Sequence, residues 1–403
     1  MNNHNKPQNI TFHYSLLQGA YWMGFACISA FSSVYLLSLG ISNSIIGLTL
    51  SLGALASALS QPLIGILIDN NPNFTAKRVL LSSFFAITII SLLLYPLSKG
   101  VPVIIPFMYG LLMLMLQLAQ PFANSIGMSS INAGYKLYFG PARAVGSLTY
   151  AFIAFVLGKV TQSRGSNVVP AFIAVSFLIG IISLFIYPNS EKPNTSNDNS
   201  DVKNEASGIA VFFKKYRSFG IIIVGLIFIY FSHVVLNSFS LQIISVRGGS
   251  SDSMGVATAI SASIEIIPMF LFPFLSKKFR LSSLLKLSAI FFTLKTICTL
   301  LAPTVNAYYA AQGCQMFGWG IMAVAIVYYV NKIVDEHDTA QGQAYAGMTL
   351  TIGNVIGNFF GGSVIDHFGV NMLLLIGSII AIIGTIIFWI GIDKSENETK
   401  KNP

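Results

Sequence analysis

Residues 218–245 read SFGIIIVGLIFIYFSHVVLNSFSLQIIS, a run of 28 residues without any Asp, Glu, Lys or Arg. A helix of about 20 apolar residues crosses the ~30 Å hydrocarbon core of a bilayer. Similar runs recur along the whole chain, so that 54% of its 403 residues are apolar, 9% are charged and the mean hydropathy is +0.71. A soluble domain would carry about 25% charged residues. The sequence therefore predicts a polytopic membrane protein and excludes a water-soluble enzyme.

The apolar runs, bounded by Gly, Pro, Asn or charged residues, number twelve. We predict that all twelve are helices, because a helix satisfies every backbone polar group within one lipid-exposed segment and the alternation of β-barrel strands is absent. The predicted fold class is thus all-α. The predicted spans are residues 14–38, 42–68, 78–98, 102–125, 141–162, 168–188, 218–245, 253–276, 283–302, 306–331, 340–365 and 370–392.

The distribution of Lys and Arg predicts the orientation of the chain. With a cytoplasmic N-terminus, 17 of the 23 basic residues fall in cytoplasmic loops and tails and four fall in external loops. Cytoplasmic loops are the ones that carry excess basic charge, so we expect a cell-membrane protein with both termini in the cytoplasm. This topology and contact with anionic lipid account for the net charge of +9, and no nucleic-acid partner is expected.

A polar stretch rich in Asn, Ser and Lys separates the first six spans from the last six. We predict a cytoplasmic linker at residues 189–217 between an N-terminal half, 1–188, and a C-terminal half, 218–403. The stretch GPARAVG at 140–146 opens span five, and GQAYAG at 342–347 opens span eleven, 202 residues later. This spacing favours two pseudo-symmetric six-helix halves, the arrangement of the major facilitator transporters. We also expect a monomer.

Charged side chains inside the spans are the first candidates for function. Glu265 is the one carboxylate among 14 that lies mid-span, and Lys295 lies mid-span in the neighbouring segment. An ionised group at the bilayer centre costs about 2.5–3.5 kcal/mol, so a chain that retains one generally uses it. We expect Glu265 to carry a proton with Lys295 as its partner. The structural alternative is an ion pair between the two.

His233 lies deep in span seven, and Asn237 and Ser240 follow it at helical spacing on one face. Imidazole titrates near neutral pH and both donates and accepts hydrogen bonds. His233 is therefore a candidate for proton coupling and, with Asn237, for substrate binding. A packing histidine is the alternative.

Two further spans carry stripes of uncharged polar residues. The stripes are Gln117, Gln120 and Asn124 in span four, and Gln312, Gln315 and Trp319 in span ten. We expect them to face a water-filled cavity and bind a polar ligand, with Trp22 or Trp319 stacking on a ring of that ligand. The alternative is that these side chains form hydrogen bonds between helices.

Several motifs resemble known transporters. Gly65-x3-Asp69 followed by Lys77-Arg78 resembles, with longer spacing, the cytoplasmic loop signature of major facilitator proteins, and it predicts a gating role for Asp69 and Arg78. The residues YFGPARAVG at 138–146 resemble the G-R-A-R-x-x-G stretch of the lactose permease-like oligosaccharide:proton symporters, and QMF at 315–317 resembles their H-M-F.

The resemblance implies that Arg143 binds a sugar, that Glu265 is the carboxylate of helix eight, and that Lys295 replaces an arginine of helix nine. The chain departs from that family at the galactoside-binding glutamate, represented here by Asn124 or Ser125. The histidine and the glutamate of helix ten are replaced by Gln315 and Gly318, and its lysine by Gln312.

These observations predict a secondary active transporter that uses alternating access to couple protons to the symport of a small polar metabolite, a sugar or a nucleoside. The expected partners are that substrate and membrane lipids. No catalytic residue, metal or cofactor is expected beyond the proton gradient. The alternatives are a proton-driven efflux antiporter of amphiphilic drugs and a non-transporting receptor of transporter descent. The sequence leaves the substrate, the direction of transport and the stoichiometry open.

Overall fold

The computed structural model describes residues 9–71, 74–100, 102–188, 209–335 and 338–401. The helices up to the polar stretch are α1 (Thr11–Phe25), α2 (Ser32–Ser38), α3 (Asn43–Asn70), α4 (Ala76–Gly100), α5 (Ile105–Asn132), α6 (Phe139–Arg164) and α7 (Val169–Ile186). Those that follow are α8 (Ile209–Lys215), α9 (Arg217–Ser238), α10 (Ser240–Ser245), α11 (Ser251–Ile264), α12 (Ile266–Lys278), α13 (Leu281–Leu301), α14 (Val305–Gln312), α15 (Trp319–Ile333) and α16 (Thr339–Lys401).

Within these residues, ten helical stretches are long and apolar enough to cross a membrane. Residues 11–38, bent by 44° between α1 and α2, raise that number to eleven. The longest stretch, Gln341–Glu398, has 58 residues and contains Gly369 with a φ of 82°, which no helical residue adopts. Gly369 therefore divides α16 into two arms, each long enough to span a bilayer. With α16 counted as two spans, the all-α architecture with twelve predicted spans is confirmed.

A π-helical turn over Ala26–Ala30 separates α1 from α2. The N–H of Phe31 donates to the carbonyl of Ala26 at 3.3 Å, five residues back, and Phe31 itself has a φ of −96° and a ψ of 9°. Such wide turns bend helices because they insert one extra residue into the hydrogen-bond ladder. The first predicted span is thus one broken helix.

The chain divides into two compact units. The first unit comprises Met1–Ile41 and Leu52–Ser200, and the second comprises Ser42–Ser51 and Asp201–Pro403. Of the predicted linker, residues 189–208 lie outside the described residues and Ile209–Lys215 form α8. The predicted boundaries of the halves stay a prediction.

In the first unit, α1 packs against α6 and α7, and α4 packs against α5 and α7. Hydrogen bonds from tyrosine hydroxyls to backbone carbonyls connect helices of this unit. Tyr21 donates its hydroxyl hydrogen to the carbonyl of Leu116 at 3.0 Å, and Tyr109 donates to Ile28 at 2.7 Å. All four residues are buried, so each phenol has the partner that a buried polar group requires.

In the second unit, α9 packs along both arms of α16, and its core also includes α13 and α15. Three glycines at helical spacing in the first arm of α16, Gly353, Gly357 and Gly361, make this packing close. A Cβ at Gly353 would lie 3.0 Å from the carbonyl carbon of Tyr230, and one at Gly361 would lie 2.5 Å from the Phe239 ring. These glycines therefore let α9 and α16 approach each other closely.

Asp366, near Gly369 in α16, fixes the start of α3 within the second unit. One carboxylate oxygen accepts from the side-chain amide of Asn43 at 2.8 Å, and the other accepts from the backbone N–H of Ser44 at 2.7 Å. A carboxylate at a helix N-terminus satisfies free N–H groups and interacts favourably with the helix dipole. This contact explains why α3 begins at Asn43.

Large apolar side chains are exposed in both units. Leu59 and Leu63 in α3, Phe152 in α6 and Phe274 in α12 each expose more than 60% of their surface. Soluble monomers rarely expose large contiguous apolar patches, because water disfavours them. These exposed side chains suit contact with lipid.

Candidate functional site

Glu265 lies at the break between α11 and α12. Its backbone N–H is 3.4 Å from the carbonyl oxygen of Ser261, a long helical hydrogen bond, and Pro268 follows three residues later. Proline has no N–H, and its ring clashes with the carbonyl four residues before it, here that of Ile264. The helix therefore ends at Ile264 and restarts at Ile266, and Glu265 sits between the two segments.

Gly320 of α15 lies directly against this break. A Cβ on Gly320 would be 2.6 Å from Cγ of Pro268 and 2.9 Å from the carbonyl oxygen of Glu265. No larger residue fits at position 320 unless α15 or the segment from Glu265 to Pro268 moves. Gly320 thus allows α15 to hold the backbone of Glu265 in place.

A chain of hydrogen bonds joins Lys295 to Glu265 through Gln315. Lys295 Nζ donates to Gln315 Oε1 at 2.7 Å, and Gln315 Nε2 donates to Glu265 Oε2 at 3.0 Å. Lys295 is only 2% exposed and Gln315 only 6%, whereas Glu265 is half-buried. The two charged residues predicted to interact are therefore brought together, with a neutral amide between them.

Span ten is broken where its polar residues lie, so Gln312, Gln315 and Trp319 do not follow one regular helix. The helix α14 ends at Gln312, a 3-10 turn covers Gly313–Gln315, and α15 starts at Trp319. Each of the three side chains consequently has a different partner. Gln312 Oε1 accepts from the hydroxyl of Ser261 at 2.8 Å.

His233 stacks on Trp319, with 4.9 Å between ring centroids and 4° between ring planes. Its Nε2 lies 3.0 Å from Nδ2 of Asn237, one turn further along α9. Its Nδ1 is buried and has no hydrogen-bond partner. The predicted pair of His233 and Asn237 is thus present, but Ser240 lies beyond the end of α9, in α10, and does not continue that helical face.

The first unit contains a second polar cluster, centred on Gln18. Gln18 Nε2 donates to the hydroxyl of Tyr14 at 2.8 Å and lies 3.5 Å from Oδ1 of Asn124, while its Oε1 accepts from Trp22 Nε1 at 3.1 Å. Gln18 is fully buried. It links two of the predicted binding residues, Trp22 and Asn124.

Arg143 belongs to this cluster because α6 begins at Phe139, which makes Arg143 a residue of the first helical turns. Its guanidinium carbon lies 4.0 Å from the centroid of the Trp22 ring, a cation–π contact. A Cβ at Gly146 would be 2.5 Å from Cδ1 of Trp22, so this glycine lets the indole approach α6. Trp22 and Arg143 are thereby held together.

The remaining polar residues of span four, Gln117 and Gln120, lie outside the cluster around Gln18. Gln117 and Gln120 are half-buried in α5, and the backbone carbonyl of Gln117 accepts from Nε2 of Gln61 at 3.2 Å. Of the residues predicted for gating, Arg78 is exposed at the start of α4, and the side chain of Asp69 lies outside the described residues.

Sequence reasoning missed Gln18 and Ser261. The signal for Gln18 was its spacing of four residues from both Tyr14 and Trp22, which places all three on one face of α1. Ser261 stands four residues before Glu265. Neither residue is charged, so neither stands out within an apolar span as an ionisable residue does.

Each unit consists of helices long and apolar enough to cross a membrane and contains a polar cluster, and buried polar groups within such spans are typical of membrane transporters. The family model described as the MFS_1 like family matches residues 14–376, so the chain belongs to this family of the major facilitator superfamily. The protein is a multi-pass transporter and not an enzyme. Its resemblance to the lactose permease-like branch stays a prediction.

One relative is an uncharacterized transporter, YwbF, of Bacillus subtilis (strain 168), which is 25% identical over 385 residues, 92% of each chain. Among solved structures, a mutant of the nucleoside transporter NupG has a TM-score of 0.81 at 15% identity, covering 94% of this chain and 99% of that one. A D-xylose-proton symporter has a TM-score of 0.71 at 15% identity, with 94% and 96% covered. At these identities the structures share the fold with this chain.

Proposed function

We propose that this transporter couples protons to the symport of a small polar metabolite, a sugar or a nucleoside, through alternating access. The observation that carries the proposal is the hydrogen-bonded chain from Lys295 through Gln315 to Glu265 inside the spans of the second unit. A carboxyl group and an ammonium group at this depth are costly to keep, and their retention indicates a role in transport.

Protonation of Glu265 removes one negative charge from the interior of the second unit. The attraction between Glu265 and the nearby ammonium of Lys295 then weakens, which changes the relative free energies of two conformations of the transporter. A proton taken up on one side of the membrane and released on the other would drive the cycle. His233 stays a proposed member of this proton path.

The two polar clusters support a substrate with several hydroxyl or amide groups and a ring. Amides accept and donate hydrogen bonds, and indole rings stack on sugars and bases. The proposed binding residues are Trp22, Gln117, Gln120, Asn124 and Arg143 in the first unit and His233, Asn237, Gln312, Gln315 and Trp319 in the second. The fold shared with a nucleoside transporter and a D-xylose-proton symporter supports these two substrate classes.

We further propose a monomer in the cell membrane with both termini in the cytoplasm, in contact with lipid. Asp69 and Arg78 act as the gating pair. The transporter uses the proton gradient and needs no metal or other cofactor.

The test is Glu265→Gln in proteoliposomes, with radiolabelled D-xylose and uridine as probes. We expect the variant to exchange substrate in counterflow, because exchange needs no net proton movement, and to lose accumulation driven by a pH gradient. Glu396→Gln, at the end of α16, is the matched control and retains both activities.

Full accumulation by Glu265→Gln would contradict the proposal. Uptake that is driven by a pH gradient of the opposite sign would instead indicate proton-driven efflux. If the wild type transported none of the probes, a receptor role would be favoured.

A further inference from the structure

We infer that Gln315 is a positioning residue that couples the protonation state of Glu265 to the hydrogen bonding of Lys295, so that Lys295 is released to a substrate acceptor when Glu265 takes up a proton. The inference rests on the proposed proton coupling and adds to it the residue that transmits the change. Its basis is the geometry of three side chains from three different parts of the second unit.

The orientation of the Gln315 amide is fixed by its neighbours. The ammonium of Lys295 has three N–H donors and no acceptor, so it requires the oxygen of the amide. The NH2 group of Gln315 then faces Glu265 and needs an acceptor, which an ionised carboxylate supplies. In the reverse orientation a donor would face a donor and an acceptor would face an acceptor.

We call the two hydrogen bonds that Gln315 makes to Lys295 and Glu265 the bridge. Both of them change when Glu265 takes up a proton. When a proton from the aqueous phase forms an O–H bond at Oε2, this atom becomes a donor, and the hydrogen bond that it accepts from Gln315 Nε2 weakens because the acceptor is no longer charged. A half-turn of the amide replaces this weakened hydrogen bond with one in which Glu265 donates to Gln315 Oε1. The same half-turn removes the acceptor of Lys295.

Lys295 is 2% exposed, so it cannot replace the lost acceptor with bulk water. A buried ammonium without a partner is strongly unfavourable. A substrate oxygen that binds Lys295 supplies the missing acceptor. Uptake of the proton and binding of the substrate therefore favour each other, and loss of the proton returns Lys295 to Gln315.

The bridge has other titratable neighbours. His233 of α9 and Cys314, next to Gln315, both interact electrostatically with Lys295, and Cys298 of α13 lies beside Cys314. From α15, Gly320 contacts the backbone of Glu265, and the ring of Tyr328 contacts Phe272 in α12. Gln315 makes hydrogen bonds to both the ammonium and the carboxylate.

The experiment is Gln315→Met, which preserves the length of the side chain and removes both ends of the bridge. The infrared band of the protonated carboxyl group is followed against pH in proteoliposomes, and its loss in Glu265→Gln assigns it to Glu265. Because a hydrogen bond from Gln315 favours the ionised carboxylate, we expect the midpoint of the band in Gln315→Met at a higher pH, by about one unit.

The transport readout is the ratio of gradient-driven accumulation to counterflow exchange, with D-xylose and uridine as probes. We expect this ratio to fall at least tenfold in Gln315→Met. Gln242→Met, at an equally buried glutamine of α10, controls for the loss of an amide and leaves the midpoint of the band unchanged. In the Glu265→Gln background, Gln315→Met has no further effect on the ratio.

If Gln315→Met fails to fold, Gln315→Leu gives the same test, because it also removes both hydrogen bonds of the amide and adds no charge or carboxyl group beside Glu265. An unchanged midpoint and an unchanged ratio in either variant, alongside loss of coupling in Glu265→Gln, would overturn the role of Gln315 alone. Full accumulation by Glu265→Gln would instead overturn the proposed function.

Discussion

At the scale of single residues, buried glutamines connect the helices of this transporter. Gln18, Gln312 and Gln315 each use both ends of the amide, accepting at Oε1 and donating from Nε2. A glutamine can satisfy a donor on one side and an acceptor on the other without bringing a charge into the membrane. It can thus hold two ionisable groups near each other without a direct ion pair.

Gly320 gives a prediction at this scale. Gly320→Ala places a Cβ 2.6 Å from Pro268 Cγ and 2.9 Å from the Glu265 carbonyl, so the α12 segment must shift. We expect a loss of stability of about 1–3 kcal/mol, as for other overpacked sites, together with reduced gradient-driven uptake. Thermal unfolding in detergent and proteoliposome uptake measure the two effects.

The matched control is Gly347→Ala in α16, where a Cβ would meet no atom within 4 Å. This variant should be as stable as the wild type or slightly more so, because alanine favours the helix. Equal stability of the Gly320 and Gly347 variants would show that the contact with Pro268 relaxes freely.

The single-residue expectations came from chemistry that the sequence displays. Glu265, Lys295 and His233 stand out because ionisable groups are rare in apolar spans, and the structure places Lys295 close to Glu265 through Gln315. The bridge itself could not be predicted, because Gln315 and Lys295 are twenty residues apart and their contact depends on how α13 meets the break in span ten. The roles of these residues in transport stay predictions.

At the scale of elements, four of the candidate site residues of the second unit lie where helices are interrupted. Glu265 stands between α11 and α12, and Gln312, Gln315 and Trp319 surround the turn between α14 and α15. Discontinuous helices in transporters place backbone and side-chain polar groups at the same depth. In the sequence, Pro268 indicates the break between α11 and α12. No proline indicates the break between α14 and α15, which lies between Gly313 and Gly318.

The short helix α8 is tied to the turn between α15 and α16. Lys215 Nζ lies 2.7 Å from a carboxylate oxygen of Asp335 and 2.7 Å from one of Asp338, and Tyr216 donates its hydroxyl hydrogen to Asp338 at 2.8 Å. The hydrogen bond from Lys215 holds the pKa of Asp335 below its ordinary value, and the two carboxylates raise the pKa of Lys215.

We expect Lys215→Met to lower the midpoint of thermal unfolding by about 1–3 °C at neutral pH, since partly exposed pairs contribute about 0–1 kcal/mol. A carboxyl group with a lowered pKa stabilises the fold above its ordinary pKa, and this contribution disappears as the pH falls through the lowered value. The difference between variant and wild type should therefore shrink below about pH 4. Lys214→Met, at the adjacent exposed lysine, is the control. A difference that persists at low pH would exclude the ion pair as its cause.

At the scale of the whole molecule, the sequence counts the spans by hydropathy, and the helices agree with that count once α16 is divided at Gly369. The orientation of the chain rests on the Lys and Arg bias alone. Lys136, between α5 and α6, and Arg164, at the end of α6, are both exposed and are predicted on opposite sides of the membrane.

The orientation is tested with single cysteines at these positions in a variant that lacks Cys27, Cys298 and Cys314. In intact cells, a membrane-impermeant maleimide should label Arg164→Cys, whereas Lys136→Cys should react only after permeabilisation. Each variant serves as the control for the other. The opposite pattern of labelling would place both termini outside.

The sequence by itself determined that this protein is an all-α membrane protein, because apolar length and the absence of charge depend on each segment separately and the bilayer imposes the helix on each of them. The tertiary structure alone decided which polar residues meet. The break in span ten, the bridge through Gln315 and the cluster around Gln18 arise from contacts between helices distant in sequence, and their geometry depends on packing that no single segment encodes.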